Sequence, residues 1–381
     1  MSGAIVVFWC AAGLLAYTHV GYPLLLWAWS RLYAPAASAV RGETSPTVSI
    51  VVVAYNEAGR IAERIENLLR LDYPRERVEI IVASDGSSDD TAVSALAYSQ
   101  RGVRVVACRE RRGKSAVLNE LMPTARGEIV LLADARQRFD VGVLRALTRH
   151  FADPRIGAVG GELVLTSDSP SVGSEGVGFY WHYEKFIRRS ESRVDSTVGV
   201  SGSIYALRRE LFEPIPAETI LDDVLIPMQI VRRGYRVIFE PGALAHDRTA
   251  AAETEFTRKV RTIAGNFQLF ALAPWLVNPR SNRLWLQTVS HKLLRLLGPF
   301  WLAAAFGANL LLLDQPLYRW TFAAQTAFYA AAVARRLFRG RTLFLLDVPY
   351  AFCLLNWATV VGLLRLVSGR QRVTWERRGT I

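Results

Sequence analysis

Cysteine is scarce in this chain. Cys10, Cys108 and Cys353 are the only three in 381 residues, and their scatter excludes a disulfide framework. No C-x-x-C pair or His/Cys cluster occurs, so nothing indicates structural zinc. Charged residues make up only 21% of the chain against 51% hydrophobic, which excludes an intrinsically disordered polypeptide. No G-x-G-x-x-G follows the first strand-like run and no Walker sequence occurs, so the dinucleotide and P-loop readings lack their phosphate-binding fingerprints. There is no internal repeat or low-complexity tract. The charge that is present is lopsided, with 46 Lys and Arg against 34 Asp and Glu, a net +12. The basic residues gather at the flanks of apolar runs rather than along one motif. That disfavours nucleic acid and favours an anionic membrane face and an anionic small substrate.

Long apolar runs stand at both ends. Residues 4–29 contain no Asp, Glu, Lys or Arg, only His19, and are long enough to span a hydrocarbon core of about 30 Å. A secretory signal peptide is the rival reading, with APAAS at 34–38 as a cleavage site. No Lys or Arg precedes the run, however, and Arg31 and Arg41 follow it, the reverse of a signal peptide's flanks. The expectation is an uncleaved anchor with its N-terminus outside and the next segment in the cytosol. Gly21 and Pro23 are tolerable in a bilayer where neighbouring helices cover the freed carbonyls. At the far end, residues 293–313 and 317–334 flank a short DQP turn and read as a membrane hairpin. The basic RRLFRGR (335–341) and a last apolar segment, 343–367, follow. Asp347, Pro349 and Asn356 make that segment a poor simple span, and the arginines of the tail leave the side of the C-terminus open.

The middle of the chain has a different rhythm. VSIVVVA (48–54), VEIIVAS (78–84), VRVVAC (103–108) and EIVLLAD (128–134) are short β-branched runs, with helical patterning between them, as in Ile61, Ile65, Leu68 and Leu69. Continuous apolar strands alternating with amphipathic helices predict a parallel sheet covered on both faces, with ligands at the carboxyl ends of its strands. Acids mark strand ends and turns: Asp85 after the second run, Asp134 ending the fourth, and Asp222 and Asp223 opening a helical stretch. Each alone suits a turn or a helix cap. Several on one sheet, with AYNE (54–57) after the first strand, suggest a site.

VVVAYNE, ASDGSSDDT, GKSAVLN (113–119), LLADARQ, GSIYALRRELF (202–212) and LDDVLIPMQIVRRGY (221–235) run in that order. The set resembles family 2 glycosyltransferases of the GT-A fold, in the membrane-embedded branch with the cellulose, hyaluronan and poly-N-acetylglucosamine synthases. The resemblance covers residues 46–270 strongly and the C-terminal segments more loosely. It implies an inverting transferase that uses a cytosolic nucleotide-sugar and a divalent metal, Mg²⁺ or Mn²⁺. It also implies that Ala54, Tyr55, Asn56 and Glu57 line the nucleotide pocket, that Asp85 contacts the uracil edge, and that Lys114 approaches the nucleotide. Asp134 matches the first acid of the family's Asp-X-Asp pair and is the implied metal ligand. Arg136 stands where the second acid belongs, facing either a phosphate or Asp134. Asp223 matches the catalytic base, with Asp222 beside it near the acceptor. Arg261 matches the arginine of the family's Gln-X-X-Arg-Trp motif and is the candidate for the diphosphate, although Arg258 and Thr262 replace the flanking Gln and Trp. The lost Trp weakens a reading of long-chain synthesis. Ser201 and Gly202 fall where relatives place a small-residue turn beside the acceptor. Tyr183, with Trp181 and His182, suits core packing or sugar stacking, and His246 is a remote candidate for metal.

The expected architecture is therefore α/β, a Rossmann-like, mostly parallel GT-A catalytic domain with helical transmembrane segments. Its divisions are an anchor (1–30), a linker (31–46), the cytosolic domain (47–254), an amphipathic interfacial region (255–290), membrane or interfacial helices (291–368) and a basic tail (369–381). The expected location is the inner (plasma) membrane, multi-pass. The expected partners are a nucleotide-sugar, most readily a UDP-sugar, a polysaccharide or lipid-linked saccharide acceptor, and membrane lipids, without nucleic acid. Single-step transfer to a lipid-linked acceptor is one alternative. A catalytically inactive nucleotide-binding scaffold of an export complex, permitted by Arg136 and Leu221, is another.

Overall fold

The computed structural model describes residues 2–32, 45–166, 174–248, 252–335 and 344–371. Its centre is an eight-stranded sheet. In chain order the strands are β1 (Val48–Ala54), β2 (Val78–Asp85), β3 (Val103–Cys108), β4 (Ile129–Asp134), β5 (Arg138–Phe139), β6 (Ile156–Thr166), β7 (Ile204–Arg208) and β8 (Arg236–Arg248). Their spatial order is β3-β2-β1-β4-β7-β6-β8-β5. The four runs legible in the sequence form the parallel half, β3-β2-β1-β4. Beyond β4 the sheet is mixed: β7 lies antiparallel to both β4 and β6, and β8 is parallel to β6.

Period-two alternation fills both faces of the parallel half. Ile50, Val52, Ile80, Val82 and Leu131 enter one core with Ile61, Ile65 and Leu68 of the Ala58–Leu69 helix. Val51, Ile81, Val130 and Leu132 enter the other, with Val117, Leu118 and Leu121 of the Lys114–Leu121 helix.

Register brings the chemistry to one edge. Val53 pairs with Asp134, and Ala54 with Ser84, the residue before Asp85. Strand order reverses between β1 and β4, the switch point at which open α/β sheets leave a crevice. Because β7 runs opposite to β4, with Ala133 paired to Ile204, it starts where β4 ends. This sets Ser201–Ser203 beside Asp134.

Two terminal helices are long and apolar enough to cross a membrane, Ser2–Leu32 and Leu345–Val367. The first contains a π-helical turn at Tyr17–Gly21, just ahead of Pro23, where the ladder must adjust to a missing N–H. The expected continuous segment 293–313 is instead broken: Trp285–Leu296 and Gly298–Leu310 meet at 59°. Gly298 and Pro299 explain the bend, one lacking a Cβ and the other a donor. Pro316–Ala334 forms the second arm of the expected hairpin but is not among the helices apolar enough to span. Asp347, the acid that compromised the last segment, is buried in an ion pair with Arg335. Apart from Val93, Leu96, Val141 and Phe186, every exposed large hydrophobic among the described residues lies on these terminal helices or at their ends.

The Ala252–Leu272 helix, which begins in the expected amphipathic interfacial region, packs one face inward. It buries Val260, Ala264 and Leu269. Gly265 lets it approach Ile220 and Leu221, and Gly362 lets the last helix approach Val260 and Ile263.

The turn after β2 depends on Gly86. Its φ is +60°, and a Cβ there would lie 2.4 Å from the backbone nitrogen of Arg111. Gly86→Ala is expected to destabilise the protein by on the order of 2 kcal/mol, read as a lower Tm in detergent. An unchanged Tm would contradict this packing.

Candidate active site

The crevice at the strand ends opens into a cavity of about 610 Å³. Of the residues expected from sequence, Lys114, Asp134, Arg136, Ser201, Gly202, Asp222, Asp223 and Arg261 all line it. They come from segments spread over nearly 150 positions: the start of the Lys114–Leu121 helix, the end of β4, the loop before β7, the first turn of the Asp222–Arg232 helix and the middle of Ala252–Leu272.

Lys114 is the hub. Its Nζ lies 3.2 Å from Asp134 Oδ1, 3.2 Å from Asp222 Oδ2 and 3.5 Å from the Gly202 carbonyl. Burial works to discharge the ammonium, but Asp134, Asp222 and Asp223 more than offset it and raise its pKa. Asp222 also accepts a hydrogen bond from the buried Tyr205 hydroxyl at 3.4 Å.

Asp223 stands apart from that pairing. Its Oδ2 accepts the Gly202 N–H at 3.0 Å, and its carbonyl accepts the Val200 N–H at 2.9 Å. A Cβ at Gly202 would lie 3.0 Å from Asp223 Oδ2, so the glycine is what lets the backbone hold this carboxylate. Burial and then the charge of Asp222 raise the Asp223 pKa to about 6, against the opposing pull of Lys114, Lys292 and Arg188. A carboxylate of that basicity takes a proton more readily than an ordinary one.

Arg261 faces the same acids. Burial lowers its pKa, and Asp222, Asp223 and Asp134 partly restore it. Arg136, weighed as a partner for a phosphate or for Asp134, lies 3.7 Å from Asp247. The sequence reading assigned Asp247 no role.

The expected nucleotide residues sit on the neighbouring stretch of the sheet edge and do not line this cavity. Ala54 packs within the sheet core. Asn56 is the only described non-glycine residue at positive φ, 52°, a strained state that suggests a built loop. Its Oδ1 accepts the Ser88 N–H at 2.8 Å, and its own N–H donates to Ser87 Oγ. The Glu57 N–H donates to Thr91, so the 54–57 and 84–91 loops are clamped together. The Arg111 guanidinium stacks 3.6 Å from the Tyr55 ring centre. Asp85 accepts the N–H groups of Arg112 and Gly113, both at 2.8 Å. It therefore fixes the two residues ahead of Lys114, and this joins the loop after β2 to the cavity.

Other sequence candidates resolve into structural roles. His246 pairs with Asp140 at 3.0 Å. Glu162, for which sequence offered no role, binds Lys185 and Arg189 at 2.5 and 3.2 Å, tying β6 to the Ser174–Val194 helix. Tyr183 lines the cavity and donates to the His19 carbonyl at 3.0 Å. The side chain of Trp181 lies outside the described residues. Sequence reading missed Arg188, Lys292 and Arg295, which line the cavity. No motif flags them, because they reach it from helices remote from the strand ends.

Among the described residues no group of three or more His, Cys, Asp or Glu side chains is arranged to hold a metal. Asp134 is a single carboxylate, with Lys114 against one oxygen. That donor set fits a hard divalent cation completed by substrate phosphate oxygens and water. It does not fit one held by protein alone.

Residues 49–215 match the model of glycosyl transferase family 2. The poly-beta-1,6-N-acetyl-D-glucosamine synthases of Staphylococcus aureus and Staphylococcus epidermidis are 27% and 26% identical to this chain over 202 residues, 52% of its length and 48% of theirs. The chain thus spans about half the length of these curated relatives. The mannosyltransferase PcManGT from Pyrobaculum calidifontis, solved in complex with GDP-Man and Mn²⁺, aligns with a TM-score of 0.74 at 24% identity, covering 95% of this chain and 99% of its own. That likeness is one of fold, and it takes in the terminal helices as well as the sheet. Residues 49–215 thus match a glycosyl transferase family 2 domain, and the sheet as a whole has a GT-A-like fold.

Proposed function

We propose that the protein is a membrane-bound, inverting glycosyltransferase that moves a sugar from a nucleotide-sugar, most readily a UDP-sugar, to a saccharide hydroxyl. The observation that carries the reading is Asp223: a buried carboxylate of raised pKa, held by the Gly202 N–H at 3.0 Å, in a cavity it shares with Lys114, Asp134 and Arg261. A single displacement needs one base on the acceptor side. No second carboxylate is required as a nucleophile, unlike in retaining glycosidases. The acceptor oxygen attacks C1, the bond from C1 to the diphosphate breaks, and the hydroxyl proton passes to Asp223. Lys114 and Arg261 meet the charge that develops on the departing nucleoside diphosphate. Asp134 would hold a divalent cation, which when bound supplies further neutralisation of that leaving group. Tyr55, Asn56, Glu57 and Asp85, on the adjoining loops, are the proposed nucleotide residues. The two apolar terminal helices support a multi-pass protein, and the proposed orientation puts its catalytic domain in the cytosol, where nucleotide-sugars are made.

Asp223→Asn keeps the shape of the side chain and removes its basicity. It is expected to lower kcat by about 10²- to 10⁴-fold while binding UDP normally by calorimetry. A variant with near-normal turnover would remove Asp223 from this role.

The base form exists above its pKa, so kcat/KM is expected to fall on the acid side with a midpoint near pH 6. Asp222→Asn removes a like charge and moves that limb to lower pH. Because burial is the larger cause, the limb stops short of an ordinary aspartate value. A limb unmoved, or moved to higher pH, would contradict the electrostatics.

With Asp134 the one carboxylate proposed for the metal, Mn²⁺ binding is expected to require nucleoside diphosphate. Paramagnetic resonance titration of the protein alone should show no tight site, with one appearing on addition of UDP. Tight binding to the protein alone would contradict the donor set.

A further inference from the structure

The cavity has a second charged pole beyond Asp223. Around the donor, Lys114, Arg136 and Arg261 face Asp134, Asp222, Asp223 and Asp247, an acid-rich set. At the other end the balance reverses, for Arg188, Arg258, Lys259, Lys292 and Arg295 line the wall with only Glu184 and Glu255. Glu255 is engaged by Arg258 at 2.8 Å. Glu184 takes Arg295 at 3.0 Å, His291 at 3.1 Å and Arg188 at 3.4 Å. The other acid nearby, Glu191, is fully buried and accepts from Tyr22 and contacts His291, both at 2.8 Å. Lys292 has no hydrogen bond and no ion pair within 4 Å among the described residues. A surplus of half-buried cations is costly unless an anion joins them.

The same cavity reaches the membrane helices. Val348, Ala351, Phe352 and Leu355 of the last helix line it, at the i, i+3, i+4, i+7 spacing of one helical face. His19 of the first apolar helix lines it too. Asp223 shares the cavity with both sets and feels the charge of Lys114, Lys292 and Arg188.

We infer that the acceptor is a phosphate-bearing, lipid-linked saccharide. Its phosphate sits on Arg188, Lys292 and Arg295, its hydrocarbon lies along Val348, Ala351, Phe352 and Leu355, and its sugar hydroxyl faces Asp223. This rests on the glycosyltransferase reading and narrows its acceptor. The acceptor phosphate is an anchor and is unchanged by the reaction. The bond made is from the donor C1 to the acceptor hydroxyl oxygen, the bond broken is from C1 to the nucleoside diphosphate, and the proton goes to Asp223. Phosphate is also the headgroup chemistry of bulk phospholipid, so the test separates the two sources.

The full chain in nanodiscs is assayed for nucleoside diphosphate release, across a panel of nucleotide-sugars. One acceptor is a monosaccharide on a polyprenyl diphosphate, and the other is the same monosaccharide on an uncharged alkyl chain. Discs of neutral and of anionic phospholipid are run in parallel. The phosphorylated acceptor should have the lower KM in neutral discs. Lys292→Gln and Arg188→Gln should each raise that KM by about tenfold or more. The KM for the nucleotide-sugar should stay within about twofold, and Lys292→Arg should restore acceptor KM. Equal KM values for the two acceptors would overturn the inference. So would variant effects that track anionic lipid in the disc rather than phosphate on the acceptor, because the pole would then be a headgroup site. Release with neither acceptor and no hydrolysis of any donor would instead defeat the glycosyltransferase reading itself.

Discussion

One ammonium organises the crevice. Lys114 stands within 3.2 Å of carboxylates from two different elements, Asp134 at the end of β4 and Asp222 at the head of a helix. Without it, Asp134, Asp222 and Asp223 would repel one another in a partly buried space. With it, two of the three share one positive charge, and the third, Asp223, is left to a backbone N–H and to the residual charge of its neighbour. The raised pKa of Asp223 follows from burial first and from this division second. Two adjacent aspartates acquire different roles because one reaches the lysine and the other does not.

The lysine is in turn placed from the loop after β2. Asp85 accepts the two N–H groups immediately before it, and Gly86 permits the close approach of the 110–111 backbone. A nucleotide that engaged the Asp85 loop would therefore bear on the position of Lys114, and through it on the acids around the sugar. The Ala252–Leu272 helix makes a corresponding link from the membrane side. It carries Arg261 into the cavity while packing against the last apolar helix through Gly362.

The parallel half of the sheet was legible in the sequence because each strand is a continuous apolar run buried on both faces. The mixed half was not. β6 contains Gly160 and Gly161, β8 is interrupted by Pro241 and Gly242, and neither shows an uninterrupted apolar run. The acids and Lys114 were legible from local motifs at strand ends. Arg188, Lys292 and Arg295 were not, because helices in a basic chain carry many arginines and only tertiary structure shows which ones turn inward. The break in the 293–313 run was written in Gly298 and Pro299, but a hydrophobic run reads as a continuous span until the bend is seen. Arg136 differs again: its position within the motif suggested a phosphate or Asp134, and it also lies 3.7 Å from Asp247, from a distant strand that no local motif points to.

The central claim is that these side chains surround the departing diphosphate of a nucleotide-sugar. Its most direct test is an experimental structure of the full chain in lipid with a non-hydrolysable UDP-sugar and Mn²⁺. The account predicts the uracil at the Asp85 loop, the diphosphate between Asp134, Lys114 and Arg261, and the anomeric carbon turned toward Asp223. A diphosphate seated outside this cavity, or a sugar directed away from Asp223, would contradict it.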